Sequence, residues 1–200
     1  MNFIKYASIW CAFVWLMVAC DSKNSQEGDQ LFSQGKYEEA ISMYTDYIEY
    51  NPDDIKSIYN RGRAYEELGE YDKSIADYEK ALEVDPKNIN AMTSIGKVHF
   101  RNSNFGDAAF YFDKAIQVKG GTAELHYLNA RANHKLGETG KAMEGYNQAI
   151  SMNSNYGDAY LYRGALKVFL KKKNGGCSDL KKAKALEVPD AESAIQKYCN

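Results

Sequence analysis

Two arginine–aspartate pairs recur in this chain with the same spacing, since Asp77 follows Arg61 by 16 residues and Asp179 follows Arg163 by 16 residues. Elsewhere in the chain, the positions related by a period of 34 residues hold Glu27 with Met43, Ile95 with Tyr111, and Asn129 with Gly145. Each charge therefore occurs only together with its opposite, which predicts a salt bridge between neighbouring helices. A structural role is favoured over ligand binding, because removing one partner of a half-buried pair leaves an uncompensated charge.

Side chains that could support catalysis or hold a metal are sparse. The chain contains three histidines, four cysteines and no C-x-x-C motif. It also lacks a glycine-rich phosphate loop, a cluster with metal-ligand spacing and a nucleophile–base arrangement. The sequence therefore predicts no enzymatic activity, no catalytic residue, no metal site and no cofactor.

The elements that must position the paired charges form an internal repeat with a period of 34 residues. Small residues return in one column of this repeat, and large apolar residues return in another. A fixed period of this size indicates stacked supersecondary units that bury their apolar faces on one another, which favours an elongated binding scaffold over an enzyme. The two columns are Gly28, Gly62, Gly96, Ala130 and Gly164, and Tyr44, Tyr78, Phe112, Tyr146 and Leu180.

The clearest repeat spans residues 55–88 and contains Arg61-Gly62, Ala64-Tyr65, Leu68-Gly69, Tyr71, Tyr78 and Asp85-Pro86. It resembles the tetratricopeptide repeat, and the resemblance covers residues 20–200. The family resemblance implies an all-α, right-handed solenoid of about five helix-turn-helix units. The implied repeats lie near residues 21–54, 55–88, 89–122, 123–156 and 157–189, and a capping helix is expected at 190–198.

Individual repeats depart from this pattern in places. Gly69 lies where the first helix must stop and turn, a position that suits a positive φ. The third repeat has Ser103 at this turn, and the fourth has Asn133 where a tyrosine is usual in the family. The fifth repeat is expected to have a basic turn over residues 171–176.

The N-terminal segment, residues 1–19, reads as a secretory signal peptide, because an apolar run from Ile9 to Val18 precedes the small residue Ala19. This run is too short to span a bilayer. The residues around Cys20 also resemble a bacterial lipoprotein cleavage motif, although Met17 replaces the usual leucine. The resemblance implies cleavage before Cys20, its lipidation, and attachment to the inner or outer membrane of a bacterial envelope, facing the periplasm or exterior. An uncleaved membrane anchor and a secreted, unlipidated protein are the alternatives.

Four cysteines then divide into two groups. In this interpretation Cys11 belongs to the signal peptide and Cys20 is the lipidated residue, which leaves Cys177 and Cys199. Cys177 opens the last paired helix and Cys199 ends the capping helix, so antiparallel packing of these helices would bring them together. An extracytoplasmic compartment permits a disulfide, and the alternatives are two separate thiols or a redox-active pair.

The resemblance also implies a binding groove, because the first helices of tetratricopeptide repeats line a concave surface that usually receives a peptide or partner helix. The candidate groove residues are the basic Arg63, Lys97 and Arg131, together with Tyr59, Phe100, Tyr127 and His134. Positive charges and aromatic faces suit an acidic or C-terminal peptide. The alternative is a solvated helix face, and the carboxylate-clamp pattern of chaperone-binding members is not reproduced.

Charge is distributed unevenly along the chain. Residues 21–54 carry nine acidic and two basic side chains, a net charge of −7, whereas residues 157–200 carry five acidic and nine basic ones, a net charge of +4. The sequence predicts a membrane-anchored scaffold or adaptor whose partner is a protein or peptide and not a nucleic acid. The alternative is a structural envelope protein that self-associates into a homo-oligomer through its acidic first and basic last repeats.

Overall fold

The computed structural model describes residues 25–199, and this part of the chain is almost entirely helical, with no β-strand. The all-α prediction is therefore confirmed. The predicted signal peptide and Cys20 lie outside the described residues. The helices are α1 (25–33), α2 (Tyr37–Tyr50), α3 (Ile55–Glu67), α4 (Tyr71–Val84), α5 (Ile89–Arg101), α6 (Phe105–Lys119), α7 (Ala123–Lys135), α8 (Thr139–Met152), α9 (Gly157–Phe169), α10 (Lys173–Ala185) and α11 (Ala191–Cys199).

These helices divide into two units, and the boundary lies inside α5 between Ala91 and Met92. In the N-terminal unit, α3 packs against both α2 and α4. In the C-terminal unit, the helices from α6 to α11 pack against one another in chain order, and α11 also contacts α9. None of the helices in the described part of the chain is long and apolar enough to cross a bilayer.

Paired helices approach closely because a small residue on one helix faces a large residue on the other. A Cβ added to Gly62 of α3 would lie 2.9 Å from Cε1 of Tyr78 in α4, and Tyr78 is fully buried. The fourth repeat has Ala130 in this column, and the glycine of its close contact, Gly145, lies on the second helix instead. A Cβ on Gly145 would lie 2.8 Å from Cβ of Ala130. The column of small residues therefore marks the sites of closest helix contact.

The turn between the two helices of each repeat contains one residue in the left-handed region. Gly69 adopts φ +75° there, and the equivalent Ser103 and Lys171 adopt 62° and 61° without being glycine. The predicted basic turn over residues 171–176 is wrong beyond Lys172, because α10 already begins at Lys173. The turn is short because the left-handed residue alone reverses the chain.

The C-terminal helix α11 closes the apolar core of the last repeat. Ala191 of this helix forms an apolar cluster with Leu161, Leu180 and Ala183. A disulfide joins Cys177 of α10 to Cys199 at the end of α11, with the two Cα atoms 5.7 Å apart. The helix is thus held both by packing and by a covalent link.

Candidate functional site

Arg131 of α7 is the cationic centre of the C-terminal unit's candidate surface. Its guanidinium carbon lies 4.9 Å from the ring centroid of Phe100 in α5 and 4.6 Å from that of Tyr162 in α9. Tyr127 is a third aromatic neighbour, with its ring centroid 5.8 Å away. Guanidinium groups are attracted to aromatic faces, so three helices position this side chain. Among residues 25–199 no carboxylate forms an ion pair with Arg131.

Tyr127 plays a different part from the one that the sequence suggests. It is only 8% exposed and belongs to the core cluster that includes Ala130 and Tyr146. Its ring packs edge-to-face on Tyr156, with centroids 4.9 Å apart, and burial raises the pKa of its hydroxyl. Tyr127 therefore contacts Arg131 from the core side and exposes almost no surface to a partner.

His134 lies one turn beyond Arg131 on α7. Its Nδ1 atom is 3.2 Å from the hydroxyl oxygen of Tyr146, and which group donates depends on the tautomer of the imidazole. Burial, followed by the positive charges of Lys135 and Arg131, lowers the pKa of His134. The imidazole is accordingly neutral at neutral pH and acts as a hydrogen-bonding group beside the surface.

Lys97 of α5 adds less positive charge to the surface than the series of basic residues Arg63, Lys97 and Arg131 predicts. Its Nζ atom donates to Oε1 of Glu124 in α7 over 2.8 Å. This ion pair satisfies the ammonium group and links two neighbouring first helices. The net positive charge of the surface consequently comes from Arg131.

The N-terminal unit repeats the arginine–aromatic arrangement. Arg63 of α3 lies 4.5 Å from the ring centroid of Phe32 in α1, and this pair is two periods before Phe100 and Arg131. Tyr59, by contrast, packs on the buried Tyr78, with ring centroids 5.2 Å apart. The recurrent phenylalanine was a signal in the sequence that the column of basic residues alone does not reveal.

Asp29 and Lys56 form the N-terminal unit's counterpart of the Lys97–Glu124 pair, with the charges exchanged between the positions. Asp29 accepts hydrogen bonds from Lys56 Nζ at 2.6 Å, Tyr44 Oη at 2.8 Å and Asn60 Nδ2 at 2.9 Å. Burial of Asp29 opposes its ionisation, but the bonds from Lys56 and Tyr44 outweigh this effect and hold the pKa of Asp29 below its usual value. Both surfaces thus use an ion pair between consecutive first helices to fix those helices.

The two arginine–aspartate pairs lie between helices and away from the aromatic clusters. Arg61 donates from Nε and Nη2 to the carboxylate of Asp77 over 2.8 and 2.7 Å. Arg163 makes the same bidentate contact with Asp179 over 2.7 and 2.8 Å. Each guanidinium also reaches the preceding second helix, at Thr45 Oγ1 and Asn147 Oδ1 respectively. Each arginine therefore joins three consecutive helices.

Three family models match the chain. The model described as tetratricopeptide repeat matches residues 55–88, the one described as TPR repeat matches residues 28–69, and a further tetratricopeptide-repeat model matches residues 93–160. The chain belongs to the tetratricopeptide-repeat family. No curated protein is significantly similar to this tetratricopeptide-repeat chain.

Solved tetratricopeptide-repeat structures share the fold at low sequence identity. A crystal structure of MamA has a TM-score of 0.76 at 22% identity and covers 82% of this chain and 96% of that one. MamA from Desulfovibrio magneticus RS-1 has a TM-score of 0.78 at 18% identity, with 84% and 94% covered. YrrB, a TPR protein with an unusual peptide-binding site, has a TM-score of 0.74 at 19% identity, with 86% and 90% covered. The fold is that of an all-α tetratricopeptide solenoid.

No metal centre accompanies this tetratricopeptide surface. Within residues 25–199, no group of three or more histidine, cysteine or acidic side chains is placed to hold an ion. The candidate surface consists of cations and aromatic rings.

Proposed function

We propose that this protein is an envelope-anchored adaptor that binds a segment of a partner protein on the Arg131 surface, formed by Phe100, Arg131 and Tyr162. Membership of the tetratricopeptide family supports a role in protein–protein interaction. The peptide-binding site named for YrrB supports the same role by analogy.

The surroundings of the Arg131 guanidinium are the main support for this proposal. Its guanidinium is positioned by aromatic rings from α5 and α9, yet no acidic side chain in the described part of the protein neutralises it. Structural arginines in this chain behave differently, since Arg61 and Arg163 each bind an aspartate in two places. An arginine held in place without a carboxylate is suited to receive one from a ligand.

The chemistry of the surface defines the ligand class. A carboxylate can accept two parallel hydrogen bonds from a guanidinium, and this arrangement fixes its orientation. The rings of Phe100 and Tyr162 provide contact area for an apolar side chain next to that carboxylate. The expected ligand is therefore a chain terminus or an acidic segment that carries an adjacent apolar residue.

Attachment to the membrane would place this surface close to envelope partners. The sequence supports it through the apolar run before Ala19 and through Cys20. Several acyl chains on one cysteine give stable anchoring, whereas one chain alone is marginal. A Cys20→Ala variant should move from the membrane fraction to the soluble fraction, and Cys11→Ala serves as the matched control. An unchanged distribution would contradict lipidation at Cys20.

Two single variants of α7, each lacking one positive charge, test the binding proposal. Arg131→Gln removes the cation of the surface, and Lys135→Gln removes an exposed cation one turn further along the same helix. Affinity capture with crosslinking from native envelopes should recover a partner with wild type and Lys135→Gln but not with Arg131→Gln. Circular dichroism of both variants controls for folding. Recovery of the same partners by all three proteins would contradict binding at the Arg131 surface.

Arg131→Lys provides a further comparison. Lysine keeps the charge but lacks the planar fork that binds a carboxylate in two places and stacks on aromatic rings. We expect this variant to recover the partner poorly. Full recovery would mean that only net charge matters, and the Arg131 surface would then be an unspecific cationic face.

A further inference from the structure

The fourth repeat carries smaller side chains than its neighbours at three equivalent positions. Asn129 stands where Arg61 and Arg163 form their ion pairs, and Gly145 stands where Asp77 and Asp179 receive them. Asn133 is equivalent to Tyr65 and Lys167. Two adjoining depressions of about 280 and 310 Å³ lie at these positions between α6, α7 and α8. We call them together the α6–α8 cleft; they share Asp113, Asn129 and Lys141.

A carboxylate occupies this cleft at a position where the other repeats present an acceptor to a guanidinium. Thr45 and Asn147 accept a hydrogen bond from Nη1 of Arg61 and Arg163. Asp113 of α6 is the equivalent residue, two periods after Thr45 and one period before Asn147. Within the described chain, Oδ2 of Asp113 accepts a hydrogen bond from Nε2 of Gln117 over 2.6 Å, and Asp113 forms no ion pair with an arginine or lysine.

The floor of the cleft is fixed by its own amides. Nδ2 of Asn129 donates to the backbone oxygen of Ala109 over 3.0 Å. Nδ2 of Asn133 donates to Oδ1 of Asn129 over 2.8 Å. These bonds hold both side chains down, so the space above them stays open to solvent. Glu144 of α8 adds a second carboxylate to the lining, and Lys141 adds the opposing charge.

We propose that the α6–α8 cleft binds an arginine side chain of a partner polypeptide. A guanidinium from the partner would take the place that Arg61 and Arg163 fill within their own repeats and would donate to Asp113 and Glu144. This site does not depend on the Arg131 surface, because it is lined by different residues and takes a ligand of opposite charge.

Two features favour arginine over lysine. Its planar fork can donate to two acceptors at once, whereas an ammonium group acts as a point charge. Phe110 lines the same cleft and is 54% exposed, and its ring already attracts one cation, since Nζ of Lys114 lies 4.9 Å from the ring centroid. A guanidinium, which stacks on aromatic rings, would compete with that ammonium group for the ring. The lining residues include two carboxylates and the cation Lys141, and Lys114 adds a second cation at Phe110. The planar fork of arginine, and not net charge alone, therefore favours its binding.

The probe is Nα-acetylarginine methylamide. Its binding to the full-length protein in detergent micelles is measured by saturation-transfer NMR. Its citrulline counterpart has a similar shape without the charge, and its lysine counterpart has the charge without the fork. We expect the arginine compound to bind at least ten-fold more tightly than either. Equal binding of the citrulline compound would overturn the proposal.

Four variants locate the binding. Asn129→Arg should abolish it, because the introduced guanidinium reaches Asp113 as Arg61 reaches Thr45, and arginine at this helix position is already accommodated in α3 and α9. Asp113→Asn should weaken it at least ten-fold. Lys141→Ala should strengthen it by removing the opposing charge. Glu138→Gln, which removes an exposed carboxylate outside the cleft, should leave it unchanged.

The Lys141→Ala result separates the two possible ligand charges. Loss of binding in that variant would show that the cleft takes an anion held by Lys141, which overturns the arginine assignment. Binding that none of the cleft variants alters would place the arginine compound elsewhere on the chain and would also overturn it. Circular dichroism melts verify that each variant is folded.

Discussion

The two arginine–aspartate pairs have the same geometry but differ in how many cations each aspartate contacts. Within residues 25–199, Arg61 is the one cation that pairs with Asp77, and the side chains of Arg61 and Asp77 are 20% and 8% exposed. Asp179 contacts both Arg163 and Lys167, each at 2.7 Å. Removing the arginine therefore leaves Asp77 without compensation, whereas Asp179 keeps one cation.

This difference predicts unequal costs for the same substitution. Arg61→Met should destabilise its unit by about 3 kcal/mol, as expected for an uncompensated buried charge, and Arg163→Met should cost clearly less. Hydrogen exchange of amides in α4 and in α10 reports the stability of the two units separately. Adding Asp77→Asn to Arg61→Met should recover part of the loss. Equal losses for the two single variants would refute the role given to Lys167.

His134 gives the C-terminal unit a dependence on pH. Because its folded-state pKa lies below the ordinary value, the neutral form contributes stability above about pH 6.5. That stability is lost as the pH falls from the unfolded-state pKa towards the lower folded-state pKa. The melting temperature of wild type should drop between pH 7 and pH 5, and His134→Gln should show a smaller drop. An identical drop in both proteins would assign the effect to other groups.

At the scale of the helices, the repeat period predicts most of the architecture, because a fixed spacing of small and large residues dictates which helix faces meet. The co-occurrence of Arg61 with Asp77 also predicts a contact within one repeat. The repeat spacing does not predict the Lys97–Glu124 pair, since its members lie on the first helices of successive repeats. The burial of Tyr127 is also not predictable from the repeat pattern, because it depends on contacts with Tyr156 at the end of the same repeat and Tyr162 in the next one.

The α6–α8 cleft shows what a comparison between repeats adds to the sequence. The exchange of Arg61 and Asp77 for Asn129 and Gly145 is visible in the sequence, but it reads there only as the absence of a salt bridge. The structure shows that the neighbouring helices do not fill the space. Close contact between Gly145 and Ala130 holds α7 and α8 together without closing the cleft.

The last helix provides a prediction about a whole element. α11 packs through Ala191 on a small cluster around Leu180 and is joined to α10 by the disulfide between Cys177 and Cys199. The disulfide closes a loop with a sequence separation of 22, for which chain entropy gives about 3 kcal/mol.

Reduction, or the double variant Cys177→Ser/Cys199→Ser, should lower the free energy of unfolding of the C-terminal unit by up to about 3 kcal/mol. Hydrogen exchange should increase first in α11, since this nine-residue helix is too short to persist alone. Wild type under oxidising conditions is the control. Unchanged exchange in α11 after reduction would show that packing alone holds the helix.

Across the molecule, the two proposed sites would take ligands of opposite charge. The Arg131 surface is proposed to bind a carboxylate, and the α6–α8 cleft is proposed to bind a guanidinium. A single partner with an acidic segment and an exposed arginine could engage both, and two different partners could also bind at the same time. Comparing the partners that Arg131→Gln and Asn129→Arg each lose distinguishes these arrangements.

The uneven charge along the chain supports one further prediction, on self-association. Residues 21–54 carry a net charge of −7 and residues 157–200 one of +4. Lys171, Lys172 and Lys181 are exposed, and no carboxylate in the described part of the protein pairs with them. A second copy of the chain could therefore place its acidic first repeat against these lysines.

Sedimentation velocity of a lipid-free Cys20→Ser protein should detect oligomers at low ionic strength that dissociate at high salt, because screening weakens attraction between exposed charges. Replacing Lys171, Lys172 and Lys181 by glutamate should prevent association even at low salt. The matched control replaces Lys135, Lys141 and Lys114, which lie outside the basic last repeat, in the same way. A monomer at every salt concentration would exclude charge-driven assembly and leave partner binding as the function of the two surfaces.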